Sequence, residues 1–477
     1  MLQDATKTGD LSVVRCHWEE IFPNSPNSHS PNSPNSPNSP NSPYFPNSPN
    51  SPEFMTLSLG IDFGTSGARG VVIDEEGRVL SEMRHYWLVE TINWVKCWRE
   101  ALWSLLGQIP EALRGEIGAI AINGTSSTIL LTDGAGEPID APLLYNDGRG
   151  ATALERLSWV APANHTVLSA TSSLAKLLWM QALPDFTKAR YLLHQADWLG
   201  FLLHGKLGIS DYHNALKLGY DVEKLQYPEW LEQLEIPLQL PQVLTPGTAI
   251  GELLPRIAAD FGFKGDCLVV AGTTDSIAAF LASGAKFPGE AVTSLGSTLV
   301  LKLLSRQRIE DARYGIYSHR LGDLWLTGGA SNTGGAVLKH FFSNVELVRL
   351  SAEIDPTQPS ELDYYPLLKP GDRFPINDPQ LLPRLEPRPD QNKEFLHGLL
   401  ESMARIETRG YELLQNLGAD SLTHIYTAGG GATNSTWTAI RQRYLKVPVV
   451  SSIHREAAYG TALLAMGKVQ IYGVALL

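Results

Sequence analysis

Two segments of the chain share one pattern, in which a short apolar strand, a turn of glycine and hydroxyl residues, and a returning strand follow one another. The first covers residues 57–73 around a Gly-Thr-Ser-Gly turn at 64–67, and the second covers residues 291–303 around a Gly-Ser-Thr turn at 296–298. Such turns present backbone N–H groups and hydroxyls to phosphate oxygens. We therefore expect two related halves that hold a polyphosphate between them.

A carboxylate stands at the end of the first of these strands. Asp62 precedes the turn at 64–67, where a carboxylate can hold a hydrated magnesium ion beside bound phosphates. Taken alone, the segment also fits an ordinary hairpin with a glycine-rich turn. The pattern predicts a phosphate and Mg²⁺ site here, with the plain hairpin as the alternative.

The first residues differ in composition from the rest of the chain. Residues 23–52 repeat Asn-Ser-Pro almost without interruption, and a segment with so few apolar residues cannot offset the entropy lost on ordering. The segment lacks both the apolar core of a secretory signal and the arginine-rich pattern of a transit peptide. We predict that residues 1–54 are a disordered leader or expression tag and that Met55 is the native start.

Charge and cysteine content narrow the choice of partners and of compartment. The formal net charge of the 477 residues is -12, which argues against nucleic acid and against an anionic membrane as partners. The three cysteines form neither a disulfide framework nor a metal-ligand pattern, as expected in a reducing cytosol. No apolar run approaches the ~20 residues that cross a bilayer. We expect a cytoplasmic protein with a small-molecule partner, and the oligomeric state stays open.

Strand and helix patterns alternate along the remaining roughly 420 residues, which is enough for two domains. Strands are predicted at 117–122, at 128–132 as a returning strand, and at 268–271, and a mostly helical region is predicted at 174–203. The alternation favours an α/β fold with parallel sheets flanked by helices. The strand at 268–271 delivers Gly-Thr-Thr and Asp275 at its end, followed by a helix from Ser276.

Two further glycine clusters precede predicted helices. Residues 328–335 open a helix at 336–342, and residues 429–434 follow a strand at 425–428 and open a second helix. A glycine-rich helix entrance suits an anion or a nucleotide, and Asn434 can hydrogen-bond a purine or ribose edge. Each cluster alone is equally well explained as a connecting loop. Residues 365–389 are predicted to be an irregular loop.

In combination these motifs resemble the FGGY family of carbohydrate kinases, and the resemblance covers nearly everything from Met55 onward. It rests on the Asp62 turn, the turn at 294–297, and the sequences GTTDS, GGASNTGG and GGGATNSTW in this order. The resemblance implies two ribonuclease-H-like (actin/sugar-kinase) domains with an active-site cleft between them. The implied domains are 55–282 and 283–455, with a C-terminal helix at 456–475 that packs back onto the first.

The resemblance also implies roles for individual residues. Asp275 matches the catalytic base and Asp62 the magnesium-associated aspartate, so both are candidates for catalysis, for substrate binding and for metal binding. On local grounds alone Asp275 is equally a helix N-cap. Trp437 either flanks the adenine or belongs to the core. The implied ATP contacts are Thr65, Ser66, Gly296, Ser297, Thr298, Gly329, Asn332, Gly430, Gly431 and Asn434.

The implied sugar pocket departs from the family pattern. Xylulose and glycerol kinases carry a Gly-Gln-Met-His-Gly-like segment where this chain has Asn-Gly-Thr-Ser-Ser-Thr at 123–128. Small hydroxyl side chains leave more room, and Ser126 is the predicted sugar contact. The segment 144–149 resembles a family turn in which Asp147 binds sugar hydroxyls, whereas Arg149 is equally well explained as structural.

The chain resembles the compact cyanobacterial and plastid branch of the family, described as xylulose-kinase-like or D-ribulose kinases. We predict an ATP- and Mg²⁺-dependent sugar kinase that converts D-ribulose to D-ribulose 5-phosphate. D-Xylulose is the nearest alternative, since the two ketoses differ at a single stereocentre and a lost hydrogen bond costs only about 1 to 3 kcal/mol. A sugar-independent ATPase switch and a regulatory pseudokinase are the alternatives from other functional classes.

Overall fold

The computed structural model describes residues 56–87, 93–467, 470–471 and 474–475. These residues belong to one unit, 54–477, which contains two lobes, each built on its own sheet. The predicted leader, residues 1–54, lies outside the described residues.

The first lobe alternates strands and helices. Its strands are β1 (Leu57–Phe63), β2 (Gly67–Ile73), β3 (Val79–Tyr86), β4 (Ile117–Gly124), β5 (Ile129–Thr132), β6 (Tyr191–His194), β7 (Ile209–Asp211), β8 (Gln242–Leu244), β9 (Ala249–Glu252), β10 (Leu268–Val270) and β11 (Thr273–Thr274). Its helices are α1 (Trp94–Gln108), α2 (Glu111–Arg114), α3 (Leu154–Val160), α4 (Ser173–Met180), α5 (Gln195–His204), α6 (Tyr212–Ala215), α7 (Pro255–Phe261) and α8 (Asp275–Ser283).

The second lobe follows the same alternation. Its strands are β12 (Glu290–Leu295), β13 (Leu299–Ser305), β14 (Tyr317–Leu321), β15 (Leu324–Ser331), β16 (His424–Ala428) and β17 (Val449–Ser451), and the short pair β18 (Gln470–Ile471) and β19 (Val474–Ala475) comes last. The helices are α9 (Gly335–Phe341), α10 (Asn344–Ala352), α11 (Asn392–Asn416), α12 (Ser435–Leu445) and α13 (Ala457–Ala465). None of the helices described in either lobe is long and apolar enough to cross a membrane.

The two large sheets share a five-stranded arrangement, which is β3-β2-β1-β4-β10 in the first and β15-β13-β12-β16-β17 in the second. In the first, the order is β3-β2-β1-β4-β10-β9, with β1, β2 and β3 antiparallel and β4 and β10 parallel to β1. In the second, β12, β13 and β15 form the antiparallel part, and β16 and β17 run parallel to β12. Every residue of β1 is buried, as expected for a central strand covered on both faces. The predicted α/β fold with two related halves is confirmed.

The helix α13 packs on the first lobe although it follows the second lobe in sequence. The Asn123 side chain at the end of β4 donates to the Thr461 hydroxyl of α13 at 2.6 Å. At Gly60 of β1, a Cβ atom would clash with the backbone of Ala458 and Ala462, so only glycine permits this close approach. The helix ends at Ala465 and the pair β18–β19 follows, so it is shorter than the helix predicted at 456–475.

In the first lobe one strand pairing was predicted wrongly, and a segment that is mostly helical, as predicted, also contains a strand. The strand predicted at 128–132 is present as β5, but it pairs antiparallel with β6 instead of returning along β4. The segment predicted as mostly helical, 174–203, contains the strand β6 between α4 and α5. The reason is that a short apolar run such as Leu192-Leu193 has no periodicity that distinguishes a buried strand from a buried helix.

Candidate active site

Three neighbouring parallel strands of the first lobe end at the same edge of the sheet. Asp62 of β1 lies beside Asn123 of β4, which in turn lies beside Thr273 of β11. Asp275 follows β11 directly, and Ser126 follows β4. The strand register therefore brings the two predicted catalytic carboxylates to one edge of the sheet, with the predicted sugar turn between them.

Asp62 is a buried carboxylate with incomplete hydrogen bonding. Its side chain is 5 % exposed, and the nearest cation is Arg69, whose Nη1 lies 3.6 Å from Oδ2. Burial, and next the charge of Asp275, raise the pKa of Asp62 to about 7 although Arg69 opposes them. Its buried Oδ1 has no hydrogen-bond partner among the described residues. A hydrated divalent cation fits here because it would satisfy this oxygen and favour the charged carboxylate.

Asp275 is the first residue of α8, and Thr274 occupies the N-cap position. The Asp275 Oδ1 accepts a hydrogen bond from the backbone N–H of Ser276 at 2.7 Å. Burial raises the pKa of Asp275, whereas this hydrogen bond and the charges of Lys302 and Lys217 lower it. The N-cap alternative considered for Asp275 is not the arrangement found, and the carboxylate lies among charged groups.

Lys302 and Lys217 were not identified from the sequence. Lys302 belongs to β13 of the second lobe, and its Nζ donates to the Ser276 hydroxyl at 3.1 Å. Burial lowers the pKa of Lys302 to about 8, and the charge of Asp275 opposes this effect. Neither lysine belongs to one of the sequence motifs, so only the three-dimensional structure places these two near a catalytic candidate.

The first predicted phosphate turn is open to solvent at its tip. Thr65 and Ser66 are exposed, and the turn is closed by a hydrogen bond from Gly64 N–H to the Gly67 carbonyl at 3.0 Å. The indole of Trp87 donates to the Gly64 carbonyl at 3.2 Å and fixes the turn from behind. Both hydroxyl side chains are therefore free to face a phosphate, as the sequence predicts for them.

The second predicted phosphate turn is supported by α9. The N–H groups of Gly335 and Ala336 donate to the carbonyls of Gly296 and Ser297 at 2.8 and 3.1 Å. The entrance of α9 is therefore already hydrogen-bonded to the turn, contrary to the expectation that it forms an anion site of its own. Ser297 is exposed, and Thr298 follows it immediately before β13.

Two of the predicted adenosine contacts, Gly329 and Asn332, are engaged in contacts within the protein. Gly329 is buried inside β15, where a Cβ would approach the ring of Phe374 at 2.5 Å. The side-chain amide of Asn332 donates to the Gly371 carbonyl at 2.9 Å, and its carbonyl accepts from Arg373 Nε at 2.9 Å. Close packing and the loop at 371–373 explain these two residues without a ligand.

The glycine cluster at 429–431 follows β16 and opens α12. A Cβ at Gly430 would meet nothing within 4 Å, so this exposed backbone is accessible. Asn434 is the N-cap of α12: its side-chain oxygen accepts from Trp437 N–H at 2.9 Å, and its amide donates to the Ser351 hydroxyl at 2.9 Å. The Trp437 ring is buried in the core of the second lobe, which decides between the two alternatives considered for it.

The predicted sugar turn at 125–128 is supported from beneath by helix residues. The Thr125 N–H and hydroxyl both donate to the side-chain oxygen of Gln195, at 3.0 and 3.1 Å. Ser126 is half-buried at the tip of the turn. Gln195 begins α5 and was not identified as a site residue, because its role depends on a contact 70 residues away in the chain.

The second predicted sugar residue, Asp147, forms an ion pair within its own turn. Its carboxylate accepts from Arg149 Nε at 3.0 Å and Nη2 at 2.7 Å, and the Arg149 guanidinium holds the pKa of Asp147 below its usual range. The guanidinium also lies over the ring of Trp179, 4.6 Å from its centroid. The structural alternative for Arg149 thus has direct support.

Comparison with known proteins identifies the family of the chain. Residues 57–282 match the N-terminal domain and residues 291–468 the C-terminal domain of the FGGY family of carbohydrate kinases. The xylulose kinases of Bacillus subtilis and Streptomyces coelicolor are 24% and 26% identical to the chain, and each alignment covers 86% of the chain and 88% of the relative. A crystal structure of a xylulose kinase from Brucella ovis has the same fold, with a TM-score of 0.76 at 23% identity over 87% of this chain and 90% of that one. The chain therefore belongs to the FGGY family of carbohydrate kinases, enzymes that phosphorylate a sugar hydroxyl.

Proposed function

We propose that this carbohydrate kinase transfers the γ-phosphate of ATP to a hydroxyl of a pentulose, with D-ribulose as the preferred acceptor and D-ribulose 5-phosphate as the product. The observation that carries the proposal is the meeting of Asp62, the turn of Ser126, and Asp275 at adjacent strand ends. Phosphoryl transfer requires a correctly oriented alcohol, a group that accepts its proton, and neutralisation of the phosphate charge. These residues are proposed to orient the alcohol and to accept the proton.

Asp275 is the proposed general base. As the sugar oxygen forms its bond to the γ-phosphorus, the bond from that phosphorus to the bridging oxygen breaks, ADP leaves, and the hydroxyl proton passes to the Asp275 carboxylate. Burial raises the pKa of Asp275, which makes the carboxylate a better proton acceptor than an exposed aspartate. The exposed hydroxyls of Thr65 and Ser297 are proposed to face the phosphates from the two lobes.

Asp62 is the proposed residue that holds Mg²⁺, with Asp275 as a second candidate. When bound, the ion would neutralise charge on the phosphates. The unpartnered Asp62 Oδ1 supports this assignment. Among the described residues no group of three or more His, Cys, Asp or Glu side chains is arranged to hold a metal, which suits an ion that keeps water and phosphate ligands.

The acceptor preference rests on the turn at 123–128. Its side chains are small and hydroxylic, and the half-buried Ser126 is the proposed donor and acceptor to the sugar, with Asp147 at the rim. D-Xylulose is the second candidate, since the Bacillus subtilis and Streptomyces coelicolor relatives are named xylulose kinases. The described cysteines, Cys97 and Cys267, are both free thiols, which supports the expectation of a reducing, cytoplasmic setting.

The test is ADP production by the purified protein with ATP and magnesium, in the presence of D-ribulose, D-xylulose, L-ribulose, glycerol, ribitol or no sugar. Stimulation strongest with D-ribulose is the expected result, and stimulation strongest with D-xylulose would establish the second candidate. Hydrolysis that no sugar changes would contradict the proposal and would favour an ATPase switch.

A further inference from the structure

Lys176 of α4 is a buried lysine with two backbone partners. The side chain is 0 % exposed, and its Nζ donates to the carbonyls of Ser127 and Leu144 at 2.7 Å each. Lysine is almost never fully buried unless its ammonium group is paired, because removing the charge from water is costly. A lysine kept at such a position therefore points to a specific requirement for these two contacts.

The first partner, Ser127, has an unusual backbone. Its φ angle is +66°, in the left-handed region that non-glycine residues rarely adopt. The buried hydroxyl of Ser127 has no hydrogen-bond partner among the described residues, whereas its backbone carbonyl accepts the hydrogen bond from Lys176 Nζ. Lys176 therefore helps to hold the strained turn from which Ser126 projects.

The second partner, Leu144, begins the segment that carries Asp147. The α4 helix holds this segment at a second point, because Trp179 lies one turn after Lys176 and packs its ring against the guanidinium of Arg149. Arg149 in turn forms the ion pair with Asp147. One face of α4 thus fixes the segment of Asp147 by two side chains.

Among the described residues, no oppositely charged side chain is in contact with the Lys176 ammonium group. Burial lowers the pKa of Lys176 to about 7; the charge of Asp147 opposes this effect, and the charges of Lys217 and Arg149 add to it. The two carbonyls are the direct partners of its Nζ, and a neutral amine keeps two N–H donors for them. The contacts to both segments therefore persist in either protonation state.

We propose that Lys176 is the positioning residue of the acceptor-sugar site, since it joins the turn of Ser126 to the segment of Asp147 and sets their separation. The inference rests on the proposed sugar role of those two residues. Lys176 itself touches neither the phosphate turns nor Asp275, so its removal is expected to affect the sugar and to leave nucleotide binding intact.

The experiment compares Lys176→Met with the wild type and with Lys206→Met. Lys206 is the matched control, because its Nζ also donates to a backbone carbonyl, that of Ile250, at 2.5 Å, and it lies in an exposed position between α5 and β7. Lys176→Met is expected to raise the KM for the stimulating pentulose by about 10-fold or more, the loss typical of a charged hydrogen bond, while the KM for ATP changes by less than about 2-fold. Amide hydrogen exchange is expected to rise in segments 125–128 and 144–149 and to stay unchanged at 64–67.

Lys176→Gln provides a second variant if the methionine variant fails to fold, because a glutamine keeps a donor but can reach one carbonyl at most. A folded Lys176→Met or Lys176→Gln protein with a wild-type KM for the pentulose would overturn the inference. An equal rise in the KM values for pentulose and ATP would overturn it as well, since that result indicates general loosening. If no sugar stimulates the wild-type protein, the proposed function fails first, and the sugar role of Lys176 fails with it.

Discussion

Lys302 of the second lobe donates a hydrogen bond to Ser276 of the first lobe, with 3.1 Å between Nζ and Oγ. Ser276 follows Asp275 directly, so this contact places a cation from one lobe beside the proposed base of the other. The two lobes therefore meet beside the proposed base.

Replacing Lys302 by Met is expected to lower kcat for phosphoryl transfer by about 10- to 100-fold, the equivalent of one charge-assisted hydrogen bond. The positive charge of Lys302 lowers the pKa of Asp275 and so keeps its carboxylate ionised, which is the state that can accept the proton. Steady-state ADP release measures the effect, and Lys286→Met, at an exposed lysine of the same lobe, should retain wild-type turnover. Unchanged kcat in Lys302→Met would show that the contact has no catalytic role.

Replacing Asp275 by Ala is expected to lower transfer by about 10²- to 10⁴-fold, the usual contribution of a general base, with ATP affinity kept within about 3-fold. We expect ATP affinity to depend on the two predicted phosphate turns, and Asp275 lies outside both of them. Single-turnover transfer and calorimetric titration with ATP measure the two quantities. Near-normal transfer in a folded variant would remove Asp275 from its role.

A buried ion pair in the second lobe is expected to be important for stability. Arg441 and Glu407 are both buried and share two hydrogen bonds of 2.6 and 2.7 Å, and Glu407 also accepts from Thr293. Arg441→Met leaves a buried carboxylate unpaired and is expected to cost about 3–5 kcal/mol in urea unfolding. The exposed pair Arg349–Glu353 is the control, and Arg349→Met is expected to cost less than about 1 kcal/mol. Equal costs would contradict the argument.

The acid sensitivity of the fold is expected to involve His204. Burial, and next the charge of Lys206, lower the pKa of His204 to about 4 from an ordinary value near 6.5. The unfolded chain therefore binds the proton first, and the contribution of His204 to stability is lost as the pH falls from about 6.5 towards 4. Between about pH 7 and pH 5 this loss amounts to roughly 2 kcal/mol.

Unfolding of His204→Asn at the two pH values tests this expectation, because the amide oxygen can replace Nδ1 as the acceptor from Lys206 N–H. The variant should lose about 2 kcal/mol less than the wild type between the two pH values. The exposed His340→Asn serves as the control and should follow the wild type. Parallel pH curves for all three proteins would contradict the assignment.

Much of the fold could be predicted from local sequence patterns. The strand–turn–strand units at 57–73 and 291–303 are both present, because alternating apolar residues and glycine-rich turns act within a few residues. The pairing of β5 with β6 could not be predicted, since Ile129 and His194 are distant in sequence and register is chosen by tertiary contacts.

The residues of the candidate site likewise fall into two groups, those that local motifs predict and those that only tertiary contacts bring to the site. Asp62 and Asp275 lie at strand ends where the motifs place them, because those motifs are continuous in sequence. Lys302 and Gln195 reach the site from other elements and leave no sequence signal. Asn434 is the opposite case. Its sequence position predicted a ligand contact, but in the structure its side chain caps α12.

The packing of α13 on β1 has a consequence for the order in which the protein folds. Asn123 and Thr461, which join the first sheet to this helix, are 338 residues apart in the chain. Because the ribosome delivers the chain from its N-terminus, the part of the first sheet that contacts α13 can be covered by this helix only after the second lobe has been synthesised. Such a long-range contact makes the last step slow, and the exposed strands are the part of the nascent chain that most needs protection by a chaperone.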